Sequence, residues 1–145
     1  MLPQALSVLE DRGYRLTGPR RDVVILLSRQ ERGLTAEDIG KQLPAVGRAT
    51  VYRTIKLLVD EGVACRVSKP DGTTLYALDD AHHHHHHAVC VRCGLTREFR
   101  HPAAERMVRA LQDEVVGAIV GHRIELYIVC ERCAAKGAGP SDGGS

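Results

Sequence analysis

Two cysteine pairs, Cys90/Cys93 and Cys130/Cys133, constrain this 145-residue chain more than any other feature. Each Cys-x-x-Cys turn can direct two thiolates at one ion, and two such turns complete a closed tetrahedral zinc site. Redox pairs or a disulfide are the alternatives, but two matched pairs in a chain without a recognisable secretory signal favour zinc. Because four protein ligands leave no open position for catalysis, we predict that this zinc is structural.

Composition limits what else the chain can be. Hydrophobic residues make up 43% of it, but it has one Phe and no Trp, so any core must be aliphatic. The formal net charge is only +2, which means that overall charge does not point to a nucleic-acid partner. Residues 1–14 lack a long apolar run and carry Glu10 and Asp11, and no stretch approaches the length of a membrane span. We therefore expect a cytoplasmic protein with no membrane partner.

Residues 1–79 carry the pattern of a winged helix-turn-helix domain. Apolar residues recur at helical spacing in several segments, and Thr35 with Asp38 resembles a capping box at the start of one of them. Two alternating segments then flank a Pro-Asp-Gly turn, which is typical of a β-hairpin. The predicted helices cover 3–12, a buried helix around 23–27, 36–43 and 49–61, and the predicted strands cover 63–68 and 73–78.

Residues 80–84 are predicted to be a hinge that leads into a second, metal-binding domain over 85–135. We expect strands over 84–91, 96–99 and 123–129 in a small antiparallel sheet. A helix over 102–116 is expected to turn four apolar side chains inward, namely Met107, Val108, Leu111 and Val115. The Gly/Ser-rich residues 136–145 are expected to be disordered. The predicted fold class is α+β, with the winged helix first and an α/β domain second.

Six consecutive histidines, His82–His87, precede the first cysteine pair. On a strand, successive side chains point to opposite faces, so His84 and His86 would share one face while His85 and His87 share the other. One stretch could then serve two separate metal sites, although a solvated low-complexity run is the alternative. The candidate partners are Cys65, Asp79, Asp80, His101, Glu105 and His122. For Cys65, a role as a small buried hydrophobic residue is an equal alternative to a role as a ligand.

Three segments, together with the histidine run and the Cys-x-x-Cys-Gly that follows it, resemble the ferric uptake regulator family. The segments are Gly13-Tyr14-Arg15-Leu16-Thr17-Gly18-Pro19-Arg20, Thr35-Ala36-Glu37-Asp38-Ile39 and Ala49-Thr50-Val51-Tyr52-Arg53-Thr54. The resemblance extends from about Gly13 to Cys133. It implies a homodimer, assembled through the second domain, whose winged helices bind a palindromic double-stranded DNA operator. It also implies a metal ion as corepressor and no small organic substrate.

Within that family the chain is most similar to the zinc-sensing branch, and the resemblance implies two regulatory sites besides the structural one. The sensor site between the domains would consist of Cys65, Asp79, His85 and His87. The second site, inside the dimerisation domain, would consist of His84, His86, Glu105 and His122.

The sensor set departs from the usual pattern of that branch. Zinc sensors of this kind typically have Asp at the wing position and Cys near the hinge, whereas here Cys65 and Asp79 look exchanged, and Asp80 rivals Asp79. The thiolate still favours zinc over iron or manganese. Arg32-Gly33 stands in the region where iron-sensing members commonly have a histidine, which also weighs against iron.

The helix over 49–61 is the predicted reader of DNA. Its exposed Tyr52 and Arg53 would touch bases in the major groove, while Thr50 and Lys56 would contact phosphates. Arg15 resembles the basic residue that family members lay near the minor groove. The alternative is that these side chains are merely solvated, and their periodicity alone does not separate the two interpretations.

The expected function is a zinc-corepressed transcriptional repressor of metal-uptake genes. An iron- or manganese/peroxide-sensing member of the same family is the first alternative, and a zinc storage or chaperone protein is the second. An enzyme is disfavoured because no His-Glu-x-x-His or deaminase-type zinc motif occurs.

Overall fold

The computed structural model describes residues 2–79 and 85–137. The predicted hinge over 80–84, with the candidate ligands Asp80 and His84, and residues 138–145 of the predicted tail lie outside the described residues. The helices are α1 (Leu2–Asp11), α2 (Gly18–Ser28), α3 (Ala36–Gln42), α4 (Arg48–Asp60), α5 (Pro102–Ala110) and α6 (Glu131–Ala135). The strands are β1 (Ala64–Ser68), β2 (Thr74–Leu78), β3 (His86–Cys90), β4 (Thr96–Phe99) and β5 (Glu125–Ile128).

Four helices and a hairpin form the N-terminal half around one aliphatic core. Thr17 caps α2, and Thr35 with Asp38 forms the capping box at the start of α3, so both helix starts follow from short polar side chains. The core is built from one face of each helix and the inner face of the hairpin. β1 and β2 pair antiparallel, with Cys65 opposite Ala77, and form the wing. The fold is thus the expected winged helix-turn-helix.

The C-terminal sheet has the order β4-β3-β5, and its pairing differs from the expected one. β3 pairs antiparallel with β4 but parallel with β5, so the sheet is mixed rather than antiparallel. The physical reason is the connection: the chain between β4 and β5 crosses over through α5 and returns in the direction of β3.

The helix expected over 102–116 ends earlier and buries nothing. α5 stops at Ala110 and continues as a 3-10 turn over Leu111–Glu114. Met107, Leu111 and Val115, expected to face inward, are 52%, 46% and 45% exposed in the single chain, and Val108 is only half-buried. The apolar stripe is present, but no described element of the same chain packs over it. Periodicity identified the stripe and could not say what covers it.

The wing packs directly on the C-terminal sheet. Val89 of β3 lies in one buried cluster with Cys65, Val67 and Leu75 of the wing. Among the described residues, 2–79 and 85–137, no helix has the length and apolar character that a bilayer crossing requires.

Candidate metal sites and nucleic-acid interface

The four cysteines converge between the end of β3 and the start of α6. Their sulfur atoms all lie within 4.8 Å of one another, and the Sγ atoms of Cys93 and Cys130 are 3.8 Å apart. Zinc–sulfur bonds of about 2.3 Å in a tetrahedron separate the sulfurs by about 3.8 Å. None of the four forms a disulfide. The cluster therefore has the dimensions that one tetrahedral ion requires.

Backbone N–H groups favour the thiolate form at Cys90, whereas burial favours the thiol form at Cys133. Burial raises the pKa of Cys90, but backbone N–H groups of Cys93, Cys130 and Arg92 that donate to its sulfur outweigh burial and lower the pKa to about 6. Burial, followed by the neighbouring sulfurs, raises the pKa of Cys133 to about 12. Four thiolates so close together repel one another, and a divalent cation is the group that removes this repulsion.

A second cluster lies on one face of β3. Nε2 of His86 is 3.0 Å from Oε1 of Glu105, and Nε2 of His122 is 2.9 Å from Oε2 of the same carboxylate. The backbone N–H of Ile124 donates to Nδ1 of His86 over 3.1 Å, which orients the fully buried ring. These three side chains belong to the predicted second site, whose fourth member, His84, lies outside the described residues.

A third cluster lies on the opposite face of β3, where the two halves meet. Asp79 contacts Nε2 of His85 and lies 3.9 Å from Nε2 of His87, and the Glu98 carboxylate is 3.6 Å from His85. Ligand atoms of all four residues lie within 4.8 Å of one another. Asp79 follows the last strand of the wing. His85 immediately precedes β3, His87 lies on β3 and Glu98 lies on β4.

His87 is the residue of this cluster that most clearly indicates an ion. It is 4% exposed, and neither of its ring nitrogens has a hydrogen-bond partner. Burial lowers the pKa of His87, which favours the neutral ring, whose unprotonated nitrogen can coordinate an ion. A buried nitrogen without a partner costs free energy, and metal coordination offsets that cost.

The structure differs from the predicted sensor set at one position. Glu98 is in the cluster and was not predicted, while Cys65 is not a member. A signal for Glu98 existed, because the hairpin of β3 and β4 pairs it directly with His87 and so sets both on one face. Cys65 is buried on β1, and burial followed by the charge of Asp79 raises its thiol pKa to about 12.

The predicted base-reading side chains lie on the outer face of α4. Tyr52, Arg53 and Lys56 are exposed, while Val51, Ile55 and Leu58 on the opposite face are buried. Two of the predicted contacts are partly engaged with neighbours. The guanidinium of Arg53 donates to Thr50 Oγ1 over 3.2 Å, and the ammonium of Lys56 forms a 2.7 Å ion pair with Asp60.

Two further arginines lie beside this face. The guanidinium of Arg48, in the first turn of α4, lies 5.8 Å from the centre of the Tyr52 ring, a cation–π arrangement that was not predicted. Arg15 is exposed just before α2, where its carbonyl accepts a hydrogen bond from Arg20 over 2.8 Å. The basic groups thus extend beyond the predicted set on α4.

A winged helix with an exposed basic helix, joined to a half that carries three clusters of metal-ligand side chains, defines a metal-responsive transcription regulator. The chain belongs to the ferric uptake regulator family, whose model matches residues 11–127. Membership of this family places it among transcription regulators and not among enzymes.

Relatives in this family respond to different signals. The chain is 35% identical to a ferric uptake regulation protein of Neisseria gonorrhoeae over 139 residues, covering 91% of this chain and 94% of the relative. It is 31% identical to the peroxide operon regulator of Bacillus subtilis over 140 residues, with 93% and 94% covered. A zinc uptake regulator solved with zinc and DNA superposes with a TM-score of 0.70 at 26% identity, with 93% of each chain covered.

Proposed function

We propose that this chain is a zinc-corepressed transcriptional repressor that binds a palindromic operator of metal-uptake genes as a homodimer. The single observation that carries the metal dependence is the junction cluster, where buried, unpartnered His87 meets Asp79 from the wing. An ion at this point ties the DNA-binding half to the other half. The ion narrows the range of spacings that the two winged helices sample, so less ordering entropy is lost when DNA binds.

The division into domains is part of the proposal. We assign 1–79 to DNA binding, 80–84 to the hinge and 85–135 to metal binding and dimerisation. The separate aliphatic core of the N-terminal half supports this division. Exposed apolar side chains on α5 and just after it support the dimer, because large apolar side chains left in water usually mark an interface; they are Met107, Leu111 and Val115. Structural zinc is assigned to the four cysteines.

The choice of sensor metal depends on which side chain joins Asp79, His85 and His87. Cys65 shares one face of the wing hairpin with Asp79, since it pairs with Ala77 two residues earlier on β2. A thiolate from this neighbour would favour zinc. Glu98 instead gives a set of nitrogen and oxygen ligands, which suits iron and manganese as well as zinc. Glu98 is therefore the specific observation that favours an iron- or manganese-sensing regulator as the second candidate.

The cluster of His86, Glu105 and His122, with His84 as the assigned fourth ligand, is proposed to adjust the response. It lies within one half, so an ion there cannot tie the halves together. We expect His122→Ala to leave operator binding metal-dependent but weaker.

The deciding experiment is operator affinity measured with and without each of zinc, iron(II) and manganese(II), for the parent, Cys65→Ala and Glu98→Gln. If zinc is the corepressor through the thiolate, Cys65→Ala loses zinc-dependent binding, a coupling of about 1–3 kcal/mol, and Glu98→Gln keeps it. If Glu98→Gln loses metal-dependent binding, Cys65→Ala keeps it, and the metal that acts is iron or manganese, the second candidate is established. A parent that binds zinc but not DNA would contradict both and indicate zinc storage.

A further inference from the structure

The loop between α2 and α3 joins the two sheets of the molecule through the backbone. On one side Leu34 and Tyr76 of β2 exchange two hydrogen bonds, with N···O distances of 3.0 and 2.7 Å. On the other side, Gly33 N–H donates to the carbonyl of Gly94 over 2.9 Å, and Thr96 N–H donates to the carbonyl of Glu31 over 3.1 Å. A short extended segment thus bridges the wing and the strand that follows the first cysteine pair.

The side chains packed around Gly33 leave no room for a Cβ atom at this position. A Cβ atom on Gly33 would lie 2.7 Å from Cβ of Leu75 and 3.3 Å from the hydroxyl of Thr96. Its acceptor Gly94 immediately follows the first zinc knuckle and has φ +77°, a left-handed conformation that side chains disfavour. The bridge therefore runs from the DNA-binding half directly to the turn that presents Cys93.

We infer that this backbone joint holds the two halves together without a sensor ion, which makes Gly33 a positioning residue for the sensor site. The joint fixes two elements that supply sensor side chains. Tyr76 precedes Asp79 by three residues on the wing, and Thr96 precedes Glu98 by two on β4. The arrangement in which the joint is formed is therefore the arrangement in which the cluster is assembled.

This role for the joint rests on the proposed sensor site, and it links the stability of the joint to the affinity of that site for its ion. The joint and the sensor ion favour the same arrangement of the halves, so each must strengthen the other by the same factor. The four-cysteine site thereby gains a second role. Besides stabilising its own half, it anchors the knuckle on which the DNA-binding half is docked.

Other contacts between the halves agree with this role. The guanidinium of Arg97 lies 3.4 Å from the carboxylate of Glu31, beside the joint. The guanidinium of Arg123 donates to the backbone carbonyl of Arg66 on the wing. Both pairs are exposed and weak by themselves, so the two backbone hydrogen bonds that cross between the halves, Gly33 to Gly94 and Thr96 to Glu31, carry the docking together with the buried apolar cluster.

The test compares Gly33→Ala with Gly40→Ala, which adds the same methyl group where nothing lies within 4 Å. The sensor ion is defined as the metal equivalent that Asp79→Ala loses, and its affinity is measured by competition with a chelator. We expect Gly33→Ala to weaken this affinity at least about fivefold while retaining the four-cysteine zinc, and Gly40→Ala to match the parent. Parental sensor affinity in Gly33→Ala would overturn the inference.

A second measurement does not depend on how Gly33→Ala folds. In Asp79→Ala, hydrogen exchange should still show slow exchange of the Gly33 and Thr96 amides, because the joint needs no sensor ion. Exchange of these amides as fast as in an unstructured loop would overturn the inference. If the parent and Asp79→Ala bind the same number of metal ions, the proposed sensor site and the proposed function are wrong. Slow exchange of the Gly33 and Thr96 amides would still show that the joint forms.

Discussion

The two halves of this chain are stabilised in different ways. The N-terminal half buries aliphatic side chains from all four of its helices and from the hairpin in one core. In the described C-terminal residues, 85–137, the buried side chains are Val89 and four candidate metal ligands, His86, His87, Cys90 and Cys130. One half thus resembles an ordinary small domain, while the described part of the other buries candidate metal ligands in place of a hydrophobic core and leaves its apolar helix face uncovered.

The comparison shows why regulation by metal suits this architecture. A half that cannot bury enough apolar surface depends on ions and on a partner surface for its order. On the proposed function, the state of this half responds to metal supply, while the half with its own core is expected to retain its recognition surface whether or not metal is present.

The largest expected effect is the loss of the zinc that we propose for the four cysteines. Cys93→Ser should release zinc and unfold the C-terminal half and the dimer, because such ions contribute on the order of 10 kcal/mol of folding free energy. The N-terminal half should keep its helices. Zinc content, oligomeric mass and circular dichroism measure these three outcomes.

The matched control for that experiment is Cys65→Ser, the same substitution at a buried cysteine outside the four-cysteine cluster. It should keep the structural zinc and the dimer. A stable, zinc-free dimer of Cys93→Ser would show that the C-terminal half does not need its ion, and the contrast between the halves would be wrong.

A smaller effect is expected on the recognition surface, which belongs to the half with the aliphatic core. Arg53→Ala should weaken binding to the operator more than to random duplex, by about 1–3 kcal/mol if the guanidinium makes a bidentate base contact. Lys56→Ala should weaken both equally and only slightly, because the ammonium is already paired with Asp60. Metal content should stay parental in both variants, and the affinities are measured at several salt concentrations.

Equal losses on both duplexes for Arg53→Ala would assign that guanidinium to phosphate. A change in metal content would show that the recognition surface is not independent of the metal-binding half.

The smallest effect concerns acid stability of the N-terminal half. Hydrogen bonds from Tyr14 and then Arg12 lower the pKa of Glu61, linking the end of α1 to the end of α4. A depressed carboxyl pKa stabilises the fold above the unfolded-state pKa, and this contribution disappears as pH falls through the folded-state pKa. Glu61→Gln should therefore lower stability at pH 7 and change it less at pH 3, as measured by urea denaturation.

Glu37→Gln is the control, because the ion pair of Glu37 with Lys41 is highly exposed. It should change stability little at either pH. An equal loss for Glu61→Gln at pH 7 and pH 3 would show that the ionised carboxylate does not contribute.

Much of the local structure was predictable because it depends on neighbouring residues. The capping box of Thr35 and Asp38 starts α3, and the apolar spacing of Val51, Ile55 and Leu58 orients α4. The mixed pairing of β5 was not predictable in this way, because strand direction depends on how a distant connection returns to the sheet.

The sequence by itself determined which side chains could bind metal and on which face of the histidine-bearing strand each of them lies. Two Cys-x-x-Cys turns define a four-thiol cluster, and strand alternation separates His86 from His85 and His87, since both effects act over a few residues. Tertiary structure alone decided which distant groups meet those side chains. It brings Glu98 to His85 and His87, sets Cys65 aside in an apolar cluster and docks Gly33 on Gly94, the residue after Cys93. These outcomes depend on how the wing hairpin and the C-terminal sheet pack against each other, and no local sequence pattern encodes that packing.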